Sequence, residues 1–278
     1  MEIASHVSTR SLPALVGASV AALIPHRSPQ LDVRWASSEE EVREAQRLRY
    51  RIFAGEMGAQ LPSPSGAPPE LDIDRFDPFC DHLLVRAIVP GQEPRKTLVG
   101  TYRVLAPSAA RRAGGFYTDT EFDLTPLSQL RARAVELGRS CVHPSWRSGA
   151  VIMALWTALG DYMRTRELDT MIGCASVGLS DGGQTANDLW HRLRVDHLVA
   201  PQWQVRPHIA LPLEGESTQL VAAHRLTDTP PLIKGYLRCG ARLLGPPALD
   251  VAFNAADLPL MLQLEHLAPR YRKHFLGS

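Results

Sequence analysis

The chain is short of several things, and each shortage removes a class of protein. It has no excess of charge: 30 Lys and Arg against 29 Asp and Glu leave a net +1. That argues against a dedicated nucleic-acid binder, whose footprint is a strongly basic domain. Cysteine is scarce. Cys80, Cys141, Cys174 and Cys239 are widely spread with no C-x-x-C, which speaks against a disulfide scaffold. No run approaches the ~20 consecutive apolar residues of a membrane span. Internal repeats and low-complexity blocks are missing as well. What is left, 45% hydrophobic and 21% charged over 278 residues, is ordinary globular composition. It suits one large domain, or one domain with an added segment, at the usual roughly 100–200 residues per domain. The expectation is a cytoplasmic protein of a reducing compartment, at most peripheral at a membrane. Leu12–Pro25 is apolar behind Arg10 and faintly resembles a signal-peptide core. The leader before it is hardly basic and no clear cleavage site follows, so residues 1–30 read as a loose N-terminal extension.

The periodicities alternate between strand and helix. Residues 31–36 read as a strand. Ser38 with Glu41 forms a capping box opening a helix to about Met57, with Val42, Ala45, Leu48 and Ile52 at helical spacing. Residues 59–79, with five prolines, read as a long loop of the kind that is often functional. His82–Val89 and Thr97–Leu105 make a hairpin across Pro90–Glu93. A helical patch at Thr125–Arg133 leads into a strand at Ala134–Val142. A polar turn, His143–Gly149, then feeds an amphipathic helix from Ala150 to about Arg166. A strand at Asp169–Val177, a helix at Gly182–Leu193 and two strands within Val199–Leu213 follow. From about Gly215 comes an appendage: a helix at Pro231–Leu244, a turn at Gly245–Pro247, a strand near Leu258–Leu264 and a basic tail. The fold class is therefore α/β (α+β), with a mixed central sheet flanked by helices.

Four clusters concentrate polar chemistry on this framework: Arg49–Phe53, Asp72–Asp77, Gly100–Arg103 and Glu136–Arg139. The last is hardest to explain as solvated charge, because it interrupts a strand built from Val135, Leu137, Cys141 and Val142. Charges inside such a strand must be paired or functional. Residues three apart on a regular strand face opposite sides, so Gly138 marks where a bulge would bring Glu136 and Arg139 to one site. Glu136 is the candidate general base. The turn that follows leaves the unpaired N–H groups of a helix start beside Arg147, a place suited to phosphate oxygens. Cys80-x-His82 and Cys141-x-His143 read as incidental pairs rather than zinc ligands, and Cys141 lacks the His–Asp partners of a covalent nucleophile.

Val142-His-Pro-Ser-Trp-Arg147-Ser-Gly149 resembles the V-x-P-x-x-R-x-G acyl-donor motif of the GNAT N-acyltransferase superfamily, in a shortened form ending Ser148-Gly149-Ala150. The four clusters resemble its acyl-homoserine-lactone synthase branch, whose pattern falls on Arg49, Phe53, Asp74, Asp77, Arg103, Glu136 and Arg139. That branch's Trp falls near Ala59, a departure. Pro230–Gly240, Asn254-Ala-Ala-Asp257 and Arg270–Phe275 look like the bacterial L-ornithine Nα-acyltransferases. The resemblance implies a GNAT-like domain over 31–214 and a C-terminal extension over 215–278 packed on it. It also implies transfer of a 3-hydroxyacyl group from acyl carrier protein to the α-amine of L-ornithine, giving lyso-ornithine lipid. No cofactor or metal is expected, since the donor carries its own 4'-phosphopantetheine. Glu136 and Arg139 are implied as catalytic, and Arg49, Phe53, Asp74, Asp77 and Arg103 as substrate-binding. Cys141, Val142, Arg147, Ser148, Gly149 and Ala150 would hold the phosphopantetheine, and arginines such as Arg111 and Arg112 would meet the acidic carrier. Three rivals stand beside this reading. They are a lactone synthase using S-adenosylmethionine, an acyltransferase for another amino acceptor such as glycine or glutamine, and a catalytically silent GNAT-like binding module.

Overall fold

Strands with apolar side chains on both faces, bounded by Pro- and Gly-rich turns, assemble one large sheet covered on both sides. The computed structural model describes residues 30–61, 66, 68–88, 96–213 and 229–276. In chain order these form β1 (Gln30–Trp35), α1 (Glu39–Phe53), β2 (Asp81–Ile88), β3 (Lys96–Leu105) and α2 (Pro107–Ala113). Then come β4 (Phe122–Asp123), β5 (Ala134–Val142), α3 (Ala150–Thr165), β6 (Thr170–Gly178), α4 (Gln184–His197) and β7 (Arg206–Pro207). The chain closes with α5 (Pro231–Cys239), β8 (Arg242–Leu243), β9 (Ala248–Asp250), β10 (Ala255–Gln263) and α6 (Pro269–Leu276). The sheet order is β1-β2-β3-β5-β6-β10-β8, with β9 beside β10; β4 and β7 pair separately. Every neighbouring pair is antiparallel except β5 and β6, which run parallel.

The pleat sorts the two cores. Leu83, Val85, Val99, Val135 and Met171 point to the side packed by α3, α5 and α6. Leu84, Leu98 and Cys141 meet α1 on the other side, and Leu105, Ala134 and Ile172 pack with α2 and the loops after it. Gly100 lets α3 lie close on β3, since a Cβ there would come 2.5 Å from Val151 Cγ1.

Several boundaries move for local reasons. The helix expected to reach Leu244 stops at Cys239, because Gly240 takes φ +112° and caps it. The first helix ends at Phe53, not Met57. At its start Glu41 N–H bonds Ser38 Oγ, but the Glu41 carboxylate reaches back to Ser37 rather than Ser38. Of the two strands expected in Val199–Leu213 only the two-residue β7 forms, in a stretch where Pro201, Pro207 and Pro212 supply no N–H. The patch at Thr125–Arg133 is a single 3-10 turn, Thr125–Leu127, followed by turns. The segment after 229 does not merely pack on the core. Its β10 is an inner strand of the sheet, paired along its whole length with β6. Leu12–Pro25, the hairpin turn at Pro90–Glu93 and the 214/215 boundary lie outside the described residues. Among the described residues, no helix is long and apolar enough to cross a membrane.

Candidate active site

The parallel pair β5–β6 is hydrogen-bonded only between Ala134–Glu136 and Thr170–Ile172, although both strands run on for several residues. They part at Gly173, where a Cβ would lie 2.3 Å from the Leu137 carbonyl oxygen. Beyond that point a cleft opens, with Leu137–Ser140 on one wall and Cys174–Ser176 on the other. The β5 backbone facing this gap has no ladder partner, so it can receive an extended amide-bearing ligand as an added strand.

A bulge arms the cleft. Between β3 and β5 the register steps from Thr101↔Cys141 to Arg103↔Gly138, leaving one extra residue on β5. The left-handed backbone belongs to Arg139 itself, at φ +51°, and not to Gly138. The extra residue turns Arg139 onto the face that carries Glu136, while Ser140 stays on the opposite side. Arg139 then lies over the rings of Tyr117 and Phe253, at 4.9 and 4.4 Å.

Behind the cleft three arginines from three elements interleave with three aspartates from the loop before β2. Arg49, fully buried on α1, donates from Nε to Asp72 at 2.7 Å and from Nη2 to both Asp77 oxygens at 3.0 and 2.9 Å. Its Nη2 also bonds the Asp72 carbonyl. Arg103 of β3 reaches Asp74 at 2.6 Å and Asp77 at 3.2 Å. Arg139 reaches Asp74 at 3.2 Å and Asp72 at 3.5 Å. Burial pushes the Asp77 carboxyl up, but Arg49 and Arg103 more than offset it and hold the group below the usual carboxylate range. The network thus ties helix, loop and two strands into one rigid wall. His82 is buried beside it, and burial with the neighbouring Arg49 lowers its pKa. Among the described residues, no three His, Cys, Asp or Glu side chains converge on a metal position.

Glu136 is 5% exposed and lines the cleft. Its Oε1 accepts from Thr118 N–H at 2.7 Å and Thr118 Oγ1 at 2.5 Å, and its Oε2 from Tyr117 N–H at 2.6 Å. A carboxylate has about four lone-pair sites, so one on Oε2 stays open to an amine or a water. Burial raises its pKa, partly offset by the Thr118 and Tyr117 donors.

On the other face of the sheet an apolar chamber adjoins the cleft, lined among others by Leu137, Trp156, Leu159, Met171 and Leu260. Tyr102 and Tyr236 border both spaces, with their hydroxyls 2.6 Å apart. At the end of β5, Cys141 is buried and its thiol is pushed up to about 12, which removes it as a nucleophile. Arg147 bonds the Val142 carbonyl at 3.0 Å and Glu56 at 2.8 Å, so it braces the turn. Gly149 leads into α3 with φ +99°, and no side chain caps the helix, which leaves its first N–H groups for a ligand.

The sequence-derived residues therefore fall in two groups. Arg49, Asp74, Asp77, Arg103, Glu136, Arg139 and Phe53 gather around the cleft, with Phe53 edge-on to Phe253. Cys141–Val142 and Arg147–Ala150 lie at the end of β5 and the start of α3. Five residues around the cleft had been given no role: Asp72, Tyr102, Tyr236, Asp250 and Asp257. Asp257 carried the signal that picked out Glu136, a lone carboxylate inside an otherwise apolar strand.

A family model for an acetyltransferase (GNAT) domain matches residues 48–157. The chain is 35% identical over 273 residues to the L-ornithine N(alpha)-acyltransferase of Brucella abortus, covering 94% of each. It is 34% identical over 257 residues to that of Rhodobacter capsulatus, covering 88% of this chain and 94% of the relative. The crystal structure of the acyl-homoserine-lactone synthase LasI is similar in fold, with a TM-score of 0.50 at 13% identity over 90% of this chain and 96% of that one.

Proposed function

The chain belongs to the L-ornithine N(alpha)-acyltransferase family and is an acyltransferase with a GNAT-like fold, and from that premise we propose that it acylates the α-amine of L-ornithine with a 3-hydroxyacyl group carried by acyl carrier protein, giving lyso-ornithine lipid. The observation that carries the reading is the fork between β5 and β6, with a charged chamber on one face and an apolar chamber on the other. The pantetheine arm would lie along the free edge of β5, its phosphate on the uncapped start of α3 beside Arg147 and Ser148–Ala150. The acyl chain would enter the apolar chamber. The acceptor would approach from the opposite side.

Glu136, directly or through a water, would take the proton from the attacking amine. The nitrogen bonds the thioester carbonyl carbon, the C–S bond breaks, and the thiolate leaves with a proton. Backbone N–H groups near Cys141 and Val142 would polarise the carbonyl. The ion network of Arg49, Arg103 and Arg139 with Asp74 and Asp77 would hold the wall on which Glu136 stands. Tyr236, which burial keeps a phenol, and Tyr102 beside it border both chambers, and one of them would give the thiolate its proton. Arg111 and Arg112, exposed at the end of α2, would face the acidic carrier. Contact with a membrane would be peripheral.

The test is direct. Purified protein is incubated with 3-hydroxyacyl carrier protein and a panel of amino acids, and products are identified by mass. Nα-acylornithine as the main product supports the proposal; acylglycine or acylglutamine as the main product overturns the acceptor. Equal turnover of carrier-protein and CoA donors at low salt would overturn the donor.

A further inference from the structure

Asp257 is the least explained side chain in the molecule. It sits on β10 between Ala256 and Leu258, is 2% exposed, and its Oδ1 has no hydrogen-bond partner. It lines the cleft. A buried carboxylate with an empty acceptor position is costly unless something positive comes to it. Burial and the neighbouring carboxylate of Asp250 outweigh the Ser176 and Cys174 side chains and the charge of Arg139, which favour the ionised form. Asp250, 6% exposed on the adjoining β9, lines the same space, accepting from Phe253 N–H at 3.0 Å and Tyr117 Oη at 3.4 Å. Glu121, half-buried, adds a third carboxylate near both. The positive groups close by have their ion-pair or hydrogen-bond partners elsewhere, although the Arg139 charge is felt at Asp257. Arg139 is held by Asp72 and Asp74, and the His208 ring is bonded to the Asp119 carbonyl at 3.1 Å.

We infer that Asp257, with Asp250 and Glu121 behind it, is the subsite for the side-chain ammonium of the acceptor amino acid. Cys174 stands between the two ends of such a ligand: its thiol lies 3.9 Å from Thr118 Oγ1, the donor to Glu136, and its electrostatic surroundings include both Asp257 and Glu136. An amino acid whose α-amine meets Glu136 can extend three methylenes past Cys174 and end on Asp257, both of which line the cleft. A neutral acceptor would leave Asp257 unpaired. The inference rests on the reading that ornithine is the acceptor, and it assigns the group that selects ornithine over amino acids of the same length without the charge.

The test compares L-ornithine with L-norvaline, the same carbon chain lacking the δ-amine, in wild type, Asp257→Asn and Asp250→Asn. Sites built around a buried polar contact reject the analogue lacking it strongly, so wild type should prefer ornithine in kcat/KM by roughly 10²-fold or more. Asp257→Asn should bring that preference to within about tenfold. Asp250→Asn should reduce it by a smaller factor. Calorimetric binding of free ornithine, weakened in both variants with melting not lowered, gives a readout apart from turnover. A preference unchanged in a folded Asp257→Asn protein overturns the subsite, because a general base or a structural residue would depress both acceptors alike. A wild type that ignores ornithine sinks the acceptor reading separately. In that case a cationic acceptor of similar length supports the subsite, and a neutral one overturns it.

Discussion

Glu136→Gln removes a negative charge and also puts an NH2 group where the carboxylate accepts three donors. Two effects should separate. A donor-to-donor clash or an unsatisfied amide costs about 1–3 kcal/mol, so the melting temperature should drop. Loss of a general base typically costs about 10²–10⁴-fold, so kcat per folded molecule should fall by that order at pH 7. Raising the pH should restore part of it, as more acceptor arrives deprotonated. Profiles of kcat and melting between pH 7 and 9 check this, and near-wild-type kcat in folded protein would remove Glu136 from the chemistry. Asp257 leads to the opposite expectation for stability. Burial and then Asp250 raise it to about 6, against about 3.9 for an unfolded aspartate. The folded protein therefore holds the extra proton between about pH 4 and 6, and stability is lost as pH rises through that window. Asp257→Asn should melt higher than wild type above pH 6, by an amount on the order of 3 kcal/mol, and the gain should vanish near pH 4. Thermal melting of both proteins from pH 4 to 8 decides it.

At the scale of elements, two junctions hold the site. Gly173 is where β5 and β6 part, and Gly173→Ala places a methyl against the Leu137 carbonyl. Overpacking of this kind costs about 1–3 kcal/mol, and it should also shift the fork, lowering kcat beyond what the melting loss explains. The second junction is Arg49, which joins α1 to the aspartate loop. Arg49→Met leaves Asp72 and Asp77 buried with one fewer cation, a change that costs about 3–5 kcal/mol and is readable by urea unfolding. Much of this geometry was legible in the sequence, and for definite reasons. The charges at Glu136 and Arg139 break an apolar alternation, and a charge in such a place announces a partner. The bulge followed from their three-residue spacing. Its position did not, because αL backbone suggests Gly138, while ring contacts with Tyr117 and Phe253 and pairing with the aspartates hold Arg139 there instead. The pairing within the ion network was not legible either: it depends on how a loop folds over two strands. Asp257, though part of the Asn254–Asp257 segment that carries the resemblance, was given no place in the site because it lay in what read as an appendage, far in sequence from the rest of the cleft.

For the whole molecule, the cleft and the wall behind it are assembled from both ends of the described chain. Arg49 comes from α1, Glu136 from β5 and Asp257 from β10. On the proposed subsite, the division at 214/215 would not divide function. A chain ending before Pro231 should yield no acylornithine and little soluble protein, since β6 would lose its antiparallel neighbour; expression and activity of that truncation check it. The order of synthesis follows from the same arrangement. β6 leaves the ribosome well before β10, and in that interval its outer edge, from Thr170 to Gly178, is a row of open backbone groups beside Met171 and Ile172. Any other strand in the cell offers the same hydrogen bonds as β10 does. Slowing translation between residues 178 and 255 should accordingly raise the fraction captured by chaperones or lost to aggregates, while slowing it before residue 170 should not.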